Sequence, residues 1–243
     1  QEHYLEDILR LSGLRIARGS QYAKSKGHGR YDHSHAQNQR FNSRADASRS
    51  TGGVAVARVD GALLDEDVAK SLDANDEEKI NYDVIEATVR HIGKHYTEPN
   101  EAQGAILIFL PGLMEITTCI EQLKTKIGSR QFMFLGLHAS LSTEDQRKVF
   151  SRAPRGVRKV VVSTNIAETS VTIDDVVFVI DAGKVKENRY DAINNMPQLV
   201  LTWEAQSNAR QRRGRAGRVQ PGHAFFTFTR ERKQAMDAYQ TPE

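Results

Sequence analysis

From residue 105 onward, short and continuously apolar runs alternate with longer segments whose apolar residues recur at helical spacing. Runs of strand length that are apolar throughout predict strands covered on both faces. The predicted strands are Ala105–Leu110, Phe132–Leu137, Lys159–Ser163 and Val177–Asp181, and the predicted helices are Leu113–Ile127 and Thr143–Phe150, the latter capped by Ser142 with Asp145 at its third position. This alternation predicts an α/β domain with a doubly wound, mostly parallel sheet and helices on both faces.

Further elements are expected on either side of this alternation. Tyr4–Leu11 and residues 80–92 carry apolar residues at helical spacing and predict two amphipathic helices. Lys184–Tyr190 and Leu199–Trp203 predict a β-hairpin that protrudes from the sheet, and His223–Phe228 predicts a final strand. In a parallel sheet, ligands bind beyond the carboxyl ends of the strands, so we expect the functional residues there.

The segment between the first helix and the α/β region has a different composition. Residues 18–53 are rich in Ser, Gly, Asn, Gln, Arg and His and contain hardly any aliphatic side chain, so they cannot bury enough apolar surface to offset chain ordering. Basic residues dominate from Arg15 to Arg58, whereas carboxylates dominate from Asp60 to Glu78. We therefore predict an entry segment at residues 1–17, a flexible polar insertion at 18–75, and the α/β domain at 76–243.

Composition excludes two classes of protein. Cys119 is the single cysteine, so no internal disulfide can form, and a reducing compartment is expected. No run of apolar residues is long enough for a membrane span, and the first residues lack the pattern of a signal peptide. The expectation is a soluble intracellular protein, cytoplasmic or nuclear, and the chain is expected to be an excerpt of a longer one.

A basic string near the end of the chain, Gln211-Arg-Arg-Gly-Arg-Ala-Gly-Arg218, is the strongest candidate site. On a helix, Gln211, Arg215 and Arg218 would lie along one face. Guanidinium groups stay charged at cellular pH and match phosphate oxygens, so two of them side by side suit a polyphosphate. The alternative is a solvated basic helix face, but Gly214 and Gly217 weaken an exposed helix and favour a close backbone approach to another group.

Two other strings occur at strand ends upstream of this one, in a fixed order. They are Ile108-Phe-Leu-Pro-Gly112 and Val162-Ser-Thr-Asn-Ile-Ala-Glu-Thr-Ser-Val-Thr-Ile-Asp174. With the basic string, they resemble motifs IV, V and VI of superfamily 2 helicases of the DEAH/RHA type, in the second RecA-like domain. The resemblance covers residues 102–243 and the opening helix, and it implies a RecA-like fold. Gln211 at the head of the last motif points to the DEAH/RHA group, and the surrounding residues look closest to its RHA-like branch.

The resemblance implies a role in ATP hydrolysis for one group of residues. Arg215 and Arg218 would be arginine fingers that face the triphosphate, and Gln211 would help to hold the attacking water. The residues matching the nucleotide-facing positions of the family are Ser170, Thr172 and Asp174, with the Asp at the ribose, and Phe150 at the adenine. A core position for Phe150, and ion pairs or surface exposure for Arg212 and Arg213, remain open alternatives.

A second group is implied to contact RNA. Thr164 and Asn165 match residues that meet the nucleic-acid backbone, Gly112 would let a phosphate approach, and His138 would be structural or close to the RNA. The protruding hairpin matches one that separates strands or holds the RNA stack in relatives. By themselves, an isolated Ser or Thr would more often be a cap, and Gly112 a turn glycine after Pro111.

Histidines at zinc-like spacing are read differently. His91 and His95 are four residues apart on a predicted helix, but no third ligand is evident, so a structural role is favoured. For His28, His33 and His35 in the polar segment, solvated side chains are favoured over weak metal binding. The predicted metal content of this chain is therefore none.

The chain lacks two strings that an ATPase of this type needs. It contains no Gly-x-x-x-x-Gly-Lys-Ser/Thr loop and no Asp-Glu-x-His string, which the family places on the first RecA-like domain together with Mg²⁺. The expectation is half of an ATP site, inactive alone, inside an ATP-dependent RNA helicase whose first RecA-like domain and C-terminal auxiliary domains are its partners. The alternative is a non-catalytic RecA-like module for RNA binding or regulation; a dinucleotide-binding enzyme is disfavoured because no glycine-rich fingerprint follows the first strand.

Overall fold

A computed structural model of the chain describes residues 1–17, 58–59, 62–63, 65–97, 104–191, 195–217 and 221–240. The chain divides into two compact units. The larger unit comprises Gln1–Arg15 and Glu77–Glu243, and the smaller comprises Ile16–Asp76.

The strands of the described residues, in chain order, are β1 (Glu2–His3), β2 (Arg58–Val59), β3 (Ala62–Leu63), β4 (Ala105–Phe109), β5 (Phe132–Leu137), β6 (Arg158–Ser163), β7 (Val176–Asp181), β8 (Lys184–Asp191), β9 (Met196–Trp203) and β10 (His223–Phe226). The helices are α1 (Leu5–Ser12), α2 (Glu66–Ala74), α3 (Tyr82–His95), α4 (Leu113–Ile127), α5 (Thr143–Arg147), α6 (Ile166–Thr169), α7 (Gln206–Arg213) and α8 (Arg230–Ala235). None of the helices in these ranges combines the length and apolar character that a bilayer crossing requires.

The larger unit is built on a six-stranded sheet in the order β1-β10-β7-β4-β6-β5. Every neighbouring pair in it is parallel. The central strands β4, β6 and β7 are buried along their whole length, as their apolar sequences predict. The prediction of a doubly wound α/β sheet is confirmed by this parallel strand order and by the burial of the central strands. Each apolar side chain buried in this way contributes about 1.5–3 kcal/mol to stability.

Predicted and observed elements agree closely in this unit. The bounds of α4 and β5 are the predicted ones, and β4, β6 and β7 differ by one residue at one end. The helix predicted at Thr143–Phe150 is shorter, because α5 ends at Arg147 and a 3₁₀ turn, Lys148–Phe150, follows it. Ser142 caps it as predicted: its hydroxyl accepts from the Asp145 amide at 3.1 Å and donates to the Asp145 carboxylate at 2.7 Å.

The predicted hairpin forms from β8 and β9, an antiparallel pair whose register runs from Lys184↔Trp203 to Asp191↔Met196. Gly183 at its root has φ +69°, and a Cβ there would lie 2.5 Å from the Phe228 ring. The root therefore requires glycine, both for its left-handed backbone and for the close approach of that ring. Its strands are longer than predicted because they continue beyond the apolar residues that mark them in the sequence.

The smaller unit contains structure that the sequence did not predict. Strands β2 and β3 pair antiparallel, and α2 is a helix inside the segment for which flexibility was predicted. Asp65 caps α2 by accepting from the Asp67 amide, and Val68, Ser71 and Ala74 are buried. The Ser71 hydroxyl also accepts from the Ile16 amide at 3.2 Å. Three buried positions on a short helix are a weak periodic signal among so many carboxylates. The composition of the segment therefore did not predict helix α2.

Candidate functional site

The carboxyl ends of the central strands bring together the residues predicted to contact RNA. The strand register pairs Phe109 with both Ser163 and Asp181, and Leu137 with Ser163, so the loops after β4, β5, β6 and β7 begin at one level of the sheet edge. Gly112, His138, Thr164 and Asn165 all lie in these loops or at the start of the following helix. This grouping is the one expected from the parallel sheet.

The RNA-candidate residues differ in their accessibility. Thr164 is buried, and its carbonyl accepts from the Ser163 hydroxyl at 3.0 Å and the Ala167 amide at 3.3 Å. Asn165 is exposed at the start of α6. His138 is half-buried, and its Nδ1 accepts from the Ser140 amide at 3.1 Å. The Asn165 side chain is therefore accessible from the surface, whereas Thr164 is enclosed and its carbonyl bonds within the loop.

Gly112 lies beneath an ion pair that joins the hairpin to α4. Lys186 of β8 pairs with Glu115 at 2.8 Å, and a Cβ on Gly112 would lie 2.7 Å from the Lys186 ammonium and from a Glu115 oxygen. Gly112 also precedes α4 in extended backbone, with φ −171°. The glycine therefore accommodates this ion pair, which fixes the base of the hairpin against the first turn of α4.

Three of the residues predicted to face the nucleotide lie on the turn between α6 and β7. Ser170, Thr172 and Asp174 are all exposed on this turn. Arg215 reaches the same place: its guanidinium donates to the Glu168 carbonyl and lies 3.5 Å from the Thr172 hydroxyl. The structure thus brings Arg215 and the Ser170–Asp174 turn together from segments more than 40 residues apart.

The geometry of the basic string differs from the prediction. Helix α7 ends at Arg213 and turns follow through Gly217, so the expectation that Gln211 and Arg215 share one helix face is wrong. The reason is the glycine pair: Gly214 caps the helix and Gly217 has φ +83°, which glycine adopts without strain. Arg218 lies outside the described residues, so its predicted role stays a prediction.

Gln211 lies on α7 at a polar cleft of about 490 Å³. It is exposed, and Asn165 lines the same cleft. The remaining residues of the lining are Glu168, Thr169, Ser207, Asn208, Tyr239 and Gln240. The cleft therefore joins a residue predicted to act on the nucleotide with one predicted to contact RNA.

A lysine that the sequence did not single out joins the neighbours of Phe150 to the neighbour of Asp174. Lys159 is buried in β6, and its ammonium donates to the carbonyls of Val149 at 2.7 Å and Ser151 at 3.1 Å. It also pairs with Asp175 at 2.8 Å. Val149 is the core residue of the 3₁₀ turn, whereas Phe150 is 55% exposed, so the core alternative for Phe150 is excluded.

Arg212 is the other arginine of the string with a defined place, and it is 1% exposed. Its guanidinium lies 3.1 Å from Glu168, 2.9 Å from Asp181 and 2.7 Å from Glu204, and we call these four residues the Arg212 cluster. It also lies over the Phe109 ring, 5.1 Å from its centroid. The alternative that Arg212 forms ion pairs is therefore correct, and these ion pairs are buried and do not lie on the surface. Arg213 instead pairs with Glu2 and is partly exposed.

Electrostatics within the cluster are uneven because three carboxylates surround one guanidinium. Burial raises the pKa of Glu204 well above its usual value, and the neighbouring Asp181 raises it further, against the opposing effect of Arg212. Burial alone would lower the pKa of Arg212, but the carboxylates raise it above its usual value. One oxygen of Asp181 and both oxygens of Glu204 have no hydrogen-bond partner, so a proton on Glu204 would supply the missing donor.

The histidines and other metal-ligand residue types that the structure describes form no metal site. In the described ranges no group of three or more His, Cys, Asp or Glu side chains could hold a metal ion. The rings of His91 and His95 lie 4.5 Å apart, and burial, followed by the charge of His95, lowers the pKa of His91. His28, His33 and His35 lie outside the described residues.

Sequence comparison identifies similar proteins over most of the chain. The family description "Helicase conserved C-terminal domain" matches residues 83–220. The chain is 46% identical over 170 residues to the ATP-dependent DNA/RNA helicase DHX36 of Bos taurus, a match that covers 69% of this chain and 16% of that protein. It is 49% identical over 181 residues to the putative ATP-dependent RNA helicase DHX57 of Homo sapiens, covering 72% and 13%.

Two further similarities extend this result. The DExH-box ATP-dependent RNA helicase DExH3 of Arabidopsis thaliana is 38% identical over 245 residues, which cover 99% of this chain and 20% of that protein. Among solved structures, the E. coli DExH-box NTPase HrpB superposes with a TM-score of 0.61 at 34% identity, covering 68% of this chain and 19% of that one. The chain spans a fifth or less of the length of these relatives.

Proposed function

We propose a function for this chain, which belongs to the family of helicase C-terminal domains of DEAH/RHA-type superfamily 2 proteins. In this proposal it supplies the arginine-finger half of an ATP site in a longer RNA helicase. In this proposal the first RecA-like domain contributes the phosphate loop and the Asp-Glu-x-His string, neither of which this chain contains. Hydrolysis would then require both domains, and the chain alone would be inactive.

One observation carries the proposal: Arg215 lies beside the exposed turn that holds Ser170, Thr172 and Asp174. A guanidinium next to hydroxyls and a carboxylate on an open surface offers donors to phosphate oxygens and an acceptor to a ribose hydroxyl. During phosphoryl transfer, such a guanidinium neutralises charge that spreads over the γ-phosphoryl oxygens. Arg218, which follows the described turn at 214–217, is proposed as the second finger.

We propose that this chain contacts the nucleotide and that the metal is held by the other domain. ATP would be held on this side by the Ser170–Asp174 turn, with Phe150 exposed to pack on the adenine, and Gln211 would position the attacking water. Mg²⁺ would be held by the first RecA-like domain. The absence of a dedicated adenine-reading string in this chain fits tolerance of several nucleoside triphosphates.

RNA is proposed to run along the carboxyl edge of the sheet, past Gly112, His138, Thr164 and Asn165. Exposed amide and imidazole groups at that edge can contact phosphates without reading bases. Because α6 connects the edge to the nucleotide-facing turn, closure and opening of the two domains would move the RNA contacts during each hydrolysis cycle. The hairpin β8–β9 would stand beside this path.

The experiment compares ATP hydrolysis by the full-length protein and by this 243-residue chain, each with and without single-stranded RNA. We expect RNA-stimulated turnover from the full-length protein and none from the isolated chain. Turnover by the purified chain would contradict the split site. A full-length protein that binds RNA but hydrolyses no nucleoside triphosphate would instead support the non-catalytic RNA-binding module.

A further inference from the structure

Glu168 makes the contacts that hold the short helix α6 against α7. It is 4% exposed, and its carboxylate accepts from the Asn208 amide at 2.8 Å and from the Arg212 Nε at 3.1 Å. Its main-chain carbonyl accepts from Arg215. One residue therefore contacts buried Arg212 through its side chain and half-buried Arg215 through its backbone.

Glu168 lies in a very short helix, whose position depends on its contacts with the rest of the domain. Helix α6 is only four residues long, and it lies between Asn165 on the RNA side and Ser170 on the nucleotide side. A single helical turn is not stable by itself, so its placement depends on tertiary contacts. Apart from the apolar packing of Ala167, the Glu168 carboxylate supplies the polar attachment to α7.

We propose that Glu168 is a positioning residue that sets Arg215 and the Ser170–Asp174 turn in register with the RNA-facing end of α6. The inference rests on the proposed function, since it assigns to Glu168 the coupling of RNA contact to hydrolysis at the same site. A displacement of α6 would move Asn165, the turn and the Glu168 carbonyl together. Errors of about 1 Å in such groups cost on the order of 10²-fold in rate.

Removal of the Glu168 carboxylate leaves the rest of the Arg212 cluster paired. Arg212 would still lie 2.9 Å from Asp181 and 2.7 Å from Glu204, so its charge would remain compensated. The Asn208 amide also lies 3.4 Å from the Gln240 side chain and would keep that contact. The fold should therefore tolerate the change, while α6 loses the two side-chain hydrogen bonds that join it to α7.

The test uses the full-length protein with Glu168→Ala and Glu168→Gln, and with Glu6→Ala and Glu6→Gln as controls. Glu6 is 2% exposed and accepts from the Arg230 amide at 3.1 Å, so it is a buried carboxylate of the same domain that contacts no residue assigned to the site. The measurements are kcat and KM for ATP, the ratio of RNA-stimulated to basal hydrolysis, and the thermal unfolding temperature.

We expect Glu168→Ala to lower the RNA-stimulated kcat by about 10- to 100-fold, with KM for ATP changed by less than about 3-fold. Glu168→Gln should lose less, because its amide oxygen can still accept one of the two hydrogen bonds. In single-turnover measurements, Glu168→Ala combined with Arg215→Ala should be no slower than Arg215→Ala alone, because Glu168 acts through Arg215.

Other results would overturn the inference. Loss of kcat in proportion to the fall in unfolding temperature, equal for the Glu6 and Glu168 variants, would mean that Glu168 is merely structural. Independent, multiplicative losses in the double variant would mean that it does not act through Arg215. If the wild-type protein itself shows no RNA-stimulated hydrolysis, the proposed function fails first, which is a distinguishable outcome.

Discussion

Arg212 and Arg215 stand three residues apart in one string, yet they occupy two different regions of the molecule. Arg212 is buried among three carboxylates beneath the sheet edge, whereas Arg215 lies on the surface turn beside Thr172. The chain reaches both regions because α7 ends at Arg213 and the backbone then turns. Burial therefore separates a structural guanidinium from one that a ligand can reach, although their residue type is the same.

The buried and exposed regions also differ in how their polar groups are satisfied. The Arg212 cluster pairs its charges with one another, although one oxygen of Asp181 and both oxygens of Glu204 lack a hydrogen-bond partner. The Ser170–Asp174 turn instead presents exposed oxygens to its surroundings. Glu168 belongs to both regions, through its side chain and its carbonyl. A loss in the buried region should therefore appear as lost stability, and a loss in the exposed region as lost catalysis.

The largest effect is expected from Arg215→Ala in the full-length protein. It should lower the RNA-stimulated kcat by about 10³-fold or more, because an arginine finger stabilises charge that develops only in the transition state. The measurement is steady-state ATP hydrolysis at saturating RNA. In the 243-residue chain, the same change should alter the free energy of unfolding by less than about 1 kcal/mol.

The matched control is Arg213→Ala, which removes a partly exposed arginine of the same string that pairs with Glu2. It should leave kcat within a few fold of wild type. If Arg215→Ala hydrolysed ATP normally but bound RNA weakly, Arg215 would be a phosphate-backbone contact and the proposed division of the site would be wrong.

Arg212→Ala should have the next largest effect, on stability. Removing one partner from a buried ion pair costs about 3–5 kcal/mol, because the remaining charge is left uncompensated. Here Glu168, Asp181 and Glu204 would all lose their cationic partner. Urea unfolding of the 243-residue chain measures this cost. A change below about 1 kcal/mol would show that the cluster contributes little and that the contrast with Arg215 is not one of stability.

Much of the fold could be predicted from the sequence because the buried strands are continuously apolar runs. Strand β4 is apolar throughout and buried throughout, and β5 has the predicted bounds. Helix α2 was not predicted, since its few buried residues lie among carboxylates that suit a solvated loop equally well. The end of α7 was misjudged because helical spacing was extended across Gly214, where a cap competes with continuation of the helix.

The site was predictable only in part. Strings at strand ends indicated the exposed residues, since the carboxyl edge of a parallel sheet collects them. The buried partners were not found, because Glu168, Asp181 and Glu204 come from three separate segments and meet only after folding. Lys159, a charged residue inside an apolar strand, was a signal of a buried polar contact.

Glu204→Gln should have the smallest effect. It should raise the free energy of unfolding, whereas Arg212→Ala lowers it. Burial and Asp181 raise the folded pKa of Glu204 above its reference value of 4.5, so between these values the folded chain binds the extra proton. Wild-type stability should therefore fall as pH rises through this window, by up to about 1.4 kcal/mol per pH unit. The amide of Gln keeps a donor without titrating, so between pH 5 and pH 6 the variant should gain up to about 1.4 kcal/mol of stability relative to wild type. Urea unfolding across this range measures the difference, with exposed Glu144→Gln as control. Parallel profiles for wild type and Glu204→Gln would mean that Glu204 is ionised in the folded chain and that Arg212 neutralises the cluster unaided by a proton.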